Sequence, residues 1–252
     1  MTLTEKTALI TGATTGIGHA TAEAFLRAGV ANLIITGQDE ARLEAARASL
    51  NAHGASVTAL RWRADRAEDS AALAEAVKAS HGTLDIVFAN AGVTWPAPLG
   101  QIEAKTAQDQ FMINVTAPLL LVQALAPLLR DGGSVVLNTS CLDVLGMPGM
   151  AVYSASKAAL RSVARTLSVE LAERGVRVNT VAPGPIETPI YGKLGMPEEQ
   201  LNEMAAGIVA QVPAGRFGKP EEIASAVLFL ASNASSYMRG AEVTVDGGWT
   251  SL

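Results

Sequence analysis

Short, mostly apolar runs alternate with Ala-rich helical stretches along the chain, and this alternation restricts the fold more than any other feature. Lys6–Thr11, Asn32–Thr36, Val57–Trp62, Leu84–Ala89, Ser134–Asn138, Val176–Val181 and Glu242–Val245 read as strands without a polar face. A strand with one solvated side would alternate apolar and polar residues, so these runs belong to a parallel sheet covered on both sides. Helical patterns lie between them: one ending at Ala28, then Glu40–Asn51, Ala67–Ser80, Thr106–Leu129, Val152–Glu173 and Glu221–Ala231. The expected fold class is α/β, a doubly wound parallel sheet with helices on both faces. The 252 residues are 49% hydrophobic and 17% charged, enough for one large core. No linker, repeat or low-complexity stretch divides them, so 1–252 reads as a single domain with a variable segment at about 185–212.

The first strand runs into Gly12-Ala13-Thr14-Thr15-Gly16-Ile17-Gly18 and then into a helical pattern closed by Gly29. Strand, Gly-rich turn and helix are the context of a dinucleotide site. Glycines let the backbone approach a pyrophosphate, and the helix N-terminus supplies amides and the positive end of its dipole. The spacing is Gly-x-x-x-Gly-x-Gly rather than Gly-x-Gly-x-x-Gly, and a ligand-free tight turn would use the same residues.

Tyr153 and Lys157 are four residues apart in a helical pattern and so share one face. A phenol ordinarily loses its proton near pH ~10, and an ammonium beside it favours the phenolate. The pair suits proton exchange with an alcohol or carbonyl oxygen. The ordinary alternative is a solvated helix face carrying one packed aromatic.

Charge and composition exclude several classes. The net charge is -5 and no Lys/Arg block occurs, which argues against nucleic acid or an anionic membrane as partner. The most apolar stretch, Val115–Leu129, is interrupted by Thr116, Pro118, Gln123 and Pro127 and is too short to span a bilayer. Cys141 is the single cysteine, so no internal disulfide forms, in keeping with a cytoplasmic setting. His19, His53 and His81 lie far from one another and from Cys141, so no catalytic metal is expected.

Thr11–Gly18, Asp65, Asn90-Ala91-Gly92, Asn114, Ser140, Tyr153-x-x-x-Lys157 and Pro183-Gly184 with Thr188 occur in order over nearly the whole chain. In these marks the chain closely resembles the short-chain dehydrogenase/reductase family. The resemblance implies a Rossmann-type sheet of seven parallel strands, NAD(P)(H) as cofactor, and alcohol/carbonyl chemistry. By matching position, Tyr153 would be the acid/base, and Lys157 would bind the nicotinamide ribose and lower the tyrosine pKa. Ser140 would hold the substrate oxygen, and Asn114 a water that relays protons to Lys157. Gly12, Thr14, Thr15, Gly16, Ile17 and Gly18 would hold the pyrophosphate, Gly37 and Gln38 would face the ribose, and Asp65 with Arg66 would bind the adenine. Asn90, Ala91, Gly92, Pro183, Gly184 and Ile186 would line the cofactor, and Thr188 would bond the nicotinamide amide. The family more often has two asparagines before Ala-Gly; Ala89-Asn90 keeps one. Read without the family, Ser140 closes a turn, Asp65 caps a helix, and Asn114 faces water.

Pro118 has no N–H and its ring clashes with the carbonyl four residues back, which is that of Asn114. That carbonyl is then free for the relay water. Otherwise Pro118 only starts a new helical segment.

The substrate pocket is expected from Val93, Trp95, Ser140, Cys141, Leu142, Met147, Met150, Ile186, Tyr191, Leu194 and Met196, with Asp143 nearby and no Lys or Arg poised for a carboxylate. A small, uncharged, hydrophobic or aromatic ketone or secondary alcohol fits that set. The alternative, a 3-oxoacyl-acyl-carrier-protein reductase, is associated with two basic residues; Arg174 matches one position, but Asp131 stands at the other, beside Arg130. A catalytically inactive nucleotide-binding module would have lost Tyr153, Lys157 or Ser140, and a lyase or dehalogenase on this scaffold would have a degraded Gly-rich turn. Thr36-Gly37-Gln38-Asp39 offers neither the carboxylate of an NAD site nor the cation of an NADP site, so weak discrimination with a small lean to NAD(H) is expected. Asp39 is expected to cap the following helix, or to favour NAD if its side chain turns inward, and Arg42 is placed to reach a 2′-phosphate from that helix. Surplus small apolar residues on Thr116–Leu129 and Ala155–Leu171 predict a homo-oligomer, in the family's manner a homotetramer.

Overall fold

The computed structural model describes residues 1–51, 56–189 and 197–251. Seven parallel strands, β1 (Thr7–Ile10), β2 (Asn32–Gly37), β3 (Ser56–Arg61), β4 (Leu84–Ala89), β5 (Leu129–Asn138), β6 (Arg177–Pro183) and β7 (Glu242–Val245), form one sheet in the order β3-β2-β1-β4-β5-β6-β7. The helices are α1 (Gly16–Arg27), α2 (Glu40–Asn51), α3 (Asp69–His81), α4 (Ala104–Phe111), α5 (Ala117–Leu125), α6 (Ala151–Glu170), α7 (Glu198–Val209) and α8 (Pro220–Ala231). This is the Rossmann-type doubly wound α/β architecture expected from the sequence.

Successive strand residues enter opposite cores, which is why the strands lack a polar face. Ala8 and Ile10 join Phe25 of α1, Leu43 and Leu50 of α2, and Val227 and Leu230 of α8. Leu9 between them joins Leu73 and Val77 of α3, Leu121 and Leu125 of α5, and Leu160 of α6. Ile86 and Phe88 against Val87 and Ala89 repeat the division. Each large apolar side chain so buried contributes about 1.5–3 kcal/mol.

Two expectations are corrected. The long helix Thr106–Leu129 is not one α-helix: a π turn at Met112–Thr116 separates α4 from α5, and Ala126–Leu128 tightens to a 3-10 turn. The run Ala104–Leu128 is, by length and composition, apolar enough to cross a membrane, yet α5 packs on α3 and the sheet through Leu121, Val122 and Leu125. β5 begins at Leu129, earlier than the apolar run suggests, because its register shifts between Leu84 and Ile86 to pass Asp131-Gly132-Gly133. Helix α7 lies inside the segment read as variable; Leu201, Met204 and Ile208, three and four apart, carry its helical period.

Candidate active site

The sheet order reverses between β1 and β4, and the crevice beyond the carboxyl ends of these strands is where an open α/β sheet binds ligands. Asn90, just past β4, ties those ends together. Its Nδ2 donates to the carbonyls of Thr11 (3.0 Å) and Gly12 (3.3 Å), and its Oδ1 accepts from Asn138 Nδ2 at 2.9 Å. Thr11 Oγ1 accepts from the amides of Asn90 (3.0 Å) and Ala91 (3.1 Å). One asparagine therefore joins β1, β4 and β5.

A cavity of about 720 Å³ runs from this junction over the Gly-rich turn and down to the helix α6 face. Gly12, Thr14, Thr15, Gly16, Ile17, Gly37, Gln38, Asp65, Asn90, Ala91, Gly92, Pro183, Gly184, Ile186 and Thr188, all read from the sequence as candidate cofactor residues, line it. Two expected residues do not. Gly18 is buried behind the wall, where a Cβ would stand 2.3 Å from the Gly12 carbonyl oxygen; it permits close packing of α1 on the turn. Arg66 lies outside the lining. Among the described residues no side chain caps α1 and its first turn holds no acid, so its leading amides face the cavity without a protein anion there. That donor set suits a pyrophosphate. Gly92 lets the cavity reach the catalytic groups, since a Cβ there would meet Asn114 Oδ1 at 3.1 Å and Lys157 Nζ at 3.4 Å.

Near the ribose end, Asp39 Oδ1 accepts from the amide of Arg42 at 2.9 Å and so caps α2, as the sequence suggests. Arg42 also lines the cavity, with Nε 3.7 Å from Asp39 Oδ2. Asp65 pairs with Arg63 (Nε–Oδ1 2.9 Å), whose guanidinium holds its carboxyl below the usual range.

Ser140, Tyr153 and Lys157 converge on the cavity. Ser140 follows β5; its Oγ accepts from the amide of Leu142 at 3.2 Å. The Tyr153 phenol shares the cavity with the hydroxyls of Ser140 and Thr94; desolvation pushes it above its ordinary value of 10.0, against the opposing pull of those two hydroxyls. The expected lowering by Lys157 is thus not seen in this structure. Lys157 is itself buried, which pushes it down to about 8; its Nζ donates to the carbonyl of Asn138 at 2.8 Å and lies 5.8 Å from the Tyr153 ring centroid.

Asn114 is buried and stands behind the cavity wall rather than in it. Its Oδ1 accepts from Val93 N (2.9 Å), and its Nδ2 donates to Val93 O (2.9 Å) and Ser156 Oγ (3.1 Å). With its side chain engaged, only its main chain is left for a relay. The π turn carries that residue, and Pro118 has no N–H to offer its carbonyl.

At the substrate end the cavity is lined by Val93, Trp95, Cys141, Leu142, Met147 and Met150, as expected. Tyr191, Leu194 and Met196 lie outside the described residues. The buried Cys141 thiol is pushed up to about 12 by desolvation, so it stays protonated. Thr94, Lys105, Asp109, Met204, Ile208 and Trp249 also line the cavity and were not expected. Met204 and Ile208 belong to α7, whose period could have been read; Trp249 follows Gly247-Gly248 and carries no local signal. Lys105 corrects the view that no lysine faces the pocket, though it is mostly exposed and paired with Asp109. Arg174 is held by its own neighbourhood: Nε donates to Asp131 Oδ1 (3.1 Å), Nη1 to the Ala126 carbonyl (2.6 Å), and Nη2 to the Leu129 carbonyl.

The chain resembles known proteins along its whole length. A family model described as enoyl-(acyl carrier protein) reductase matches residues 12–250. Oxidoreductase asL5 of Sarocladium schorii is 40% identical over 249 residues, covering 98% of this chain and 96% of that protein. The 3-oxoacyl-(acyl-carrier-protein) reductase FabG of Thermotoga maritima is 35% identical over 250 residues, covering 98% and 99%. Among solved structures, a blue fluorescent protein from a metagenomic library, in complex with NADPH, superposes with TM-score 0.90 at 29% identity over 100% of both chains.

Proposed function

Because the chain belongs to the short-chain dehydrogenase/reductase family, we propose that it interconverts an uncharged, hydrophobic or aromatic ketone and the corresponding secondary alcohol. It is an oxidoreductase, and its cofactor is a nicotinamide dinucleotide, NAD(P)(H). The observation that carries the reading is the meeting of the Tyr153 phenol with Ser140 in one cavity, above the buried Lys157.

The bound dinucleotide supplies or accepts the hydride. Ser140 Oγ holds the substrate oxygen, and Tyr153 gives that oxygen its proton in reduction or takes it in oxidation. Lys157 would bind the nicotinamide ribose and, with the Asn114 main chain, return a proton to the phenol through water. Asn90, Gly92 and Thr188 would hold the nicotinamide end, and Asp65 the adenine end. Val93, Trp95, Leu142, Met147 and Met150 exclude water around the carbonyl and accept apolar substituents.

A carrier-protein-bound substrate is less well supported, since Arg174 already donates to Asp131 and to two main-chain carbonyls. An inactive binding module would have no reason to keep Ser140, Tyr153 and Lys157 together. We read the assembly as a homotetramer, built through α5, α6 and β7. Turnover of a panel of ketones and alcohols with NADH and NADPH tests the function. Reduction of several uncharged ketones is expected. Turnover confined to 3-oxoacyl thioesters on a carrier protein, or dinucleotide binding without any turnover, would overturn it.

A further inference from the structure

Beside the cavity, and outside the catalytic set, a cluster of buried charges holds both ends of the turn that carries Ser140. Glu242, the first residue of β7, accepts at Oε1 from Thr139 Oγ1 (2.9 Å) and Thr180 Oγ1 (3.1 Å). Its Oε2 lies 2.8 Å from Arg161 Nε on α6, and Arg161 Nη1 lies 3.5 Å from Asp143 Oδ2. Thr139 immediately precedes Ser140, and Asp143 closes the turn with its amide donating to the Ser140 carbonyl at 3.0 Å. The Asp143 side chain is 1% exposed, and neither of its oxygens has a hydrogen-bond donor among the described residues. Two unserved acceptors at full burial cost about 1–3 kcal/mol each. Across Arg161 from them stands another carboxyl, that of Glu242, whose charge raises the pKa of Asp143. One proton between the two carboxyls gives one Asp143 oxygen a partner, leaves the other opposite Arg161, and reduces the pair to a single negative charge.

We propose that Asp143 and Glu242 share a proton and, with Arg161, clamp the Thr139–Asp143 turn, so that both carboxyls are positioning residues that act on substrate only through Ser140. The inference rests on the reading of Ser140 as the group that holds the substrate oxygen. Burial and the charge of Glu242 push the Asp143 carboxyl up to about 6, against the pull of Arg161 and Arg165 on α6. Cys141 and Tyr153 are the other titratable groups facing it, and both stay neutral through that range. Loss of the shared proton sets two carboxylates against one arginine and loosens the turn.

The test is the pH profile of ketone reduction for wild type, Asp143→Asn, Glu242→Gln, Asp143→Leu and Ser140→Ala. Wild-type kcat should fall as pH rises past about 6. Asp143→Asn and Glu242→Gln each keep a donor in the pair and should keep kcat while losing that limb. Asp143→Leu should lower kcat by about tenfold at every pH, with dinucleotide affinity by nicotinamide fluorescence unchanged. Asp143→Asn as impaired as Asp143→Leu, or folded Asp143→Leu within about twofold of wild type, overturns the clamp. Should Asp143→Leu not fold, melting curves decide. A proton held in the folded state gives stability that is lost between about pH 4 and 6, so Tm of Asp143→Asn relative to wild type must rise across that window, and a level difference overturns the proposal. Ser140→Ala separates the two failures: if it is inactive while folded Asp143→Leu is normal, only the clamp falls; if Ser140→Ala turns over normally, the reading of Ser140 falls and takes the clamp with it.

Discussion

Lys157 Nζ donates to the carbonyl of Asn138 at 2.8 Å, which places a buried ammonium from α6 against the end of β5. Burial lowers its pKa from 10.5 to about 8. Between those values the unfolded chain binds the proton that the folded chain has released, so stability rises with pH across about 8 to 10. Lys157→Met carries no such charge. Compared by thermal melting, wild type should gain about 2 kcal/mol on this variant between about pH 7 and about pH 9.5. Cys141 and Tyr153 titrate alike in both proteins, so the difference isolates the lysine. No change with pH would show that Lys157 is hydrated rather than buried. The variant should also lose turnover and dinucleotide affinity together.

Tyr153→Phe removes the hydroxyl that meets Ser140 and Thr94 while the ring still packs. Turnover should drop by about 100-fold or more, the usual worth of a positioned acid/base, with dinucleotide binding nearly unchanged by fluorescence titration. A variant that keeps about a tenth of the activity would mean that another group moves the proton.

Gly37, Gln38 and Asp39 line the cavity where a carboxylate or a cation would select the ribose, and Asp39 Oδ1 is engaged as the cap of α2. Wild type should discriminate weakly, with a small lean to NADH. Gln38→Arg should shift kcat/KM toward NADPH by about tenfold or more, one charge-assisted hydrogen bond being worth about 1.5–3 kcal/mol. A wild-type preference for NADPH of about 100-fold would point to Arg42, and Arg42→Ala should then erase it. No gain from Gln38→Arg would show that residue 38 does not face the ribose.

The run Ala104–Leu128 has a mean hydropathy of 1.7 in its most apolar window, yet only 33% of that window is buried within one chain. Val169 on α6 is 76% exposed. Burying such surface between copies is the common solution in symmetric oligomers. Light scattering at micromolar concentration should give a tetramer; a species of 26.0 kDa, the mass of one chain, would exclude assembly.

Whatever depends on period and spacing was legible in the chain. Strands that feed two cores show no polar face, so the doubly wound sheet follows from runs such as Leu84–Ala89. Tyr153 and Lys157 share a helix face by arithmetic, and Asp39 caps α2 through a bond spanning three residues. Folding alone decided what depends on packing between distant segments. Thr94 reaches Tyr153 only because β4 and α6 end at the same cavity. The π turn hides Asn114 behind Val93, and Arg174, which reads as a docking residue, donates to Ala126, Leu129 and Asp131. Asp143 and Glu242 come to share Arg161 because β5, β6 and β7 lie side by side. Burial then raises the Asp143 carboxyl and the Tyr153 phenol and lowers the Lys157 ammonium, and desolvation belongs to the assembled environment rather than to residue type or spacing.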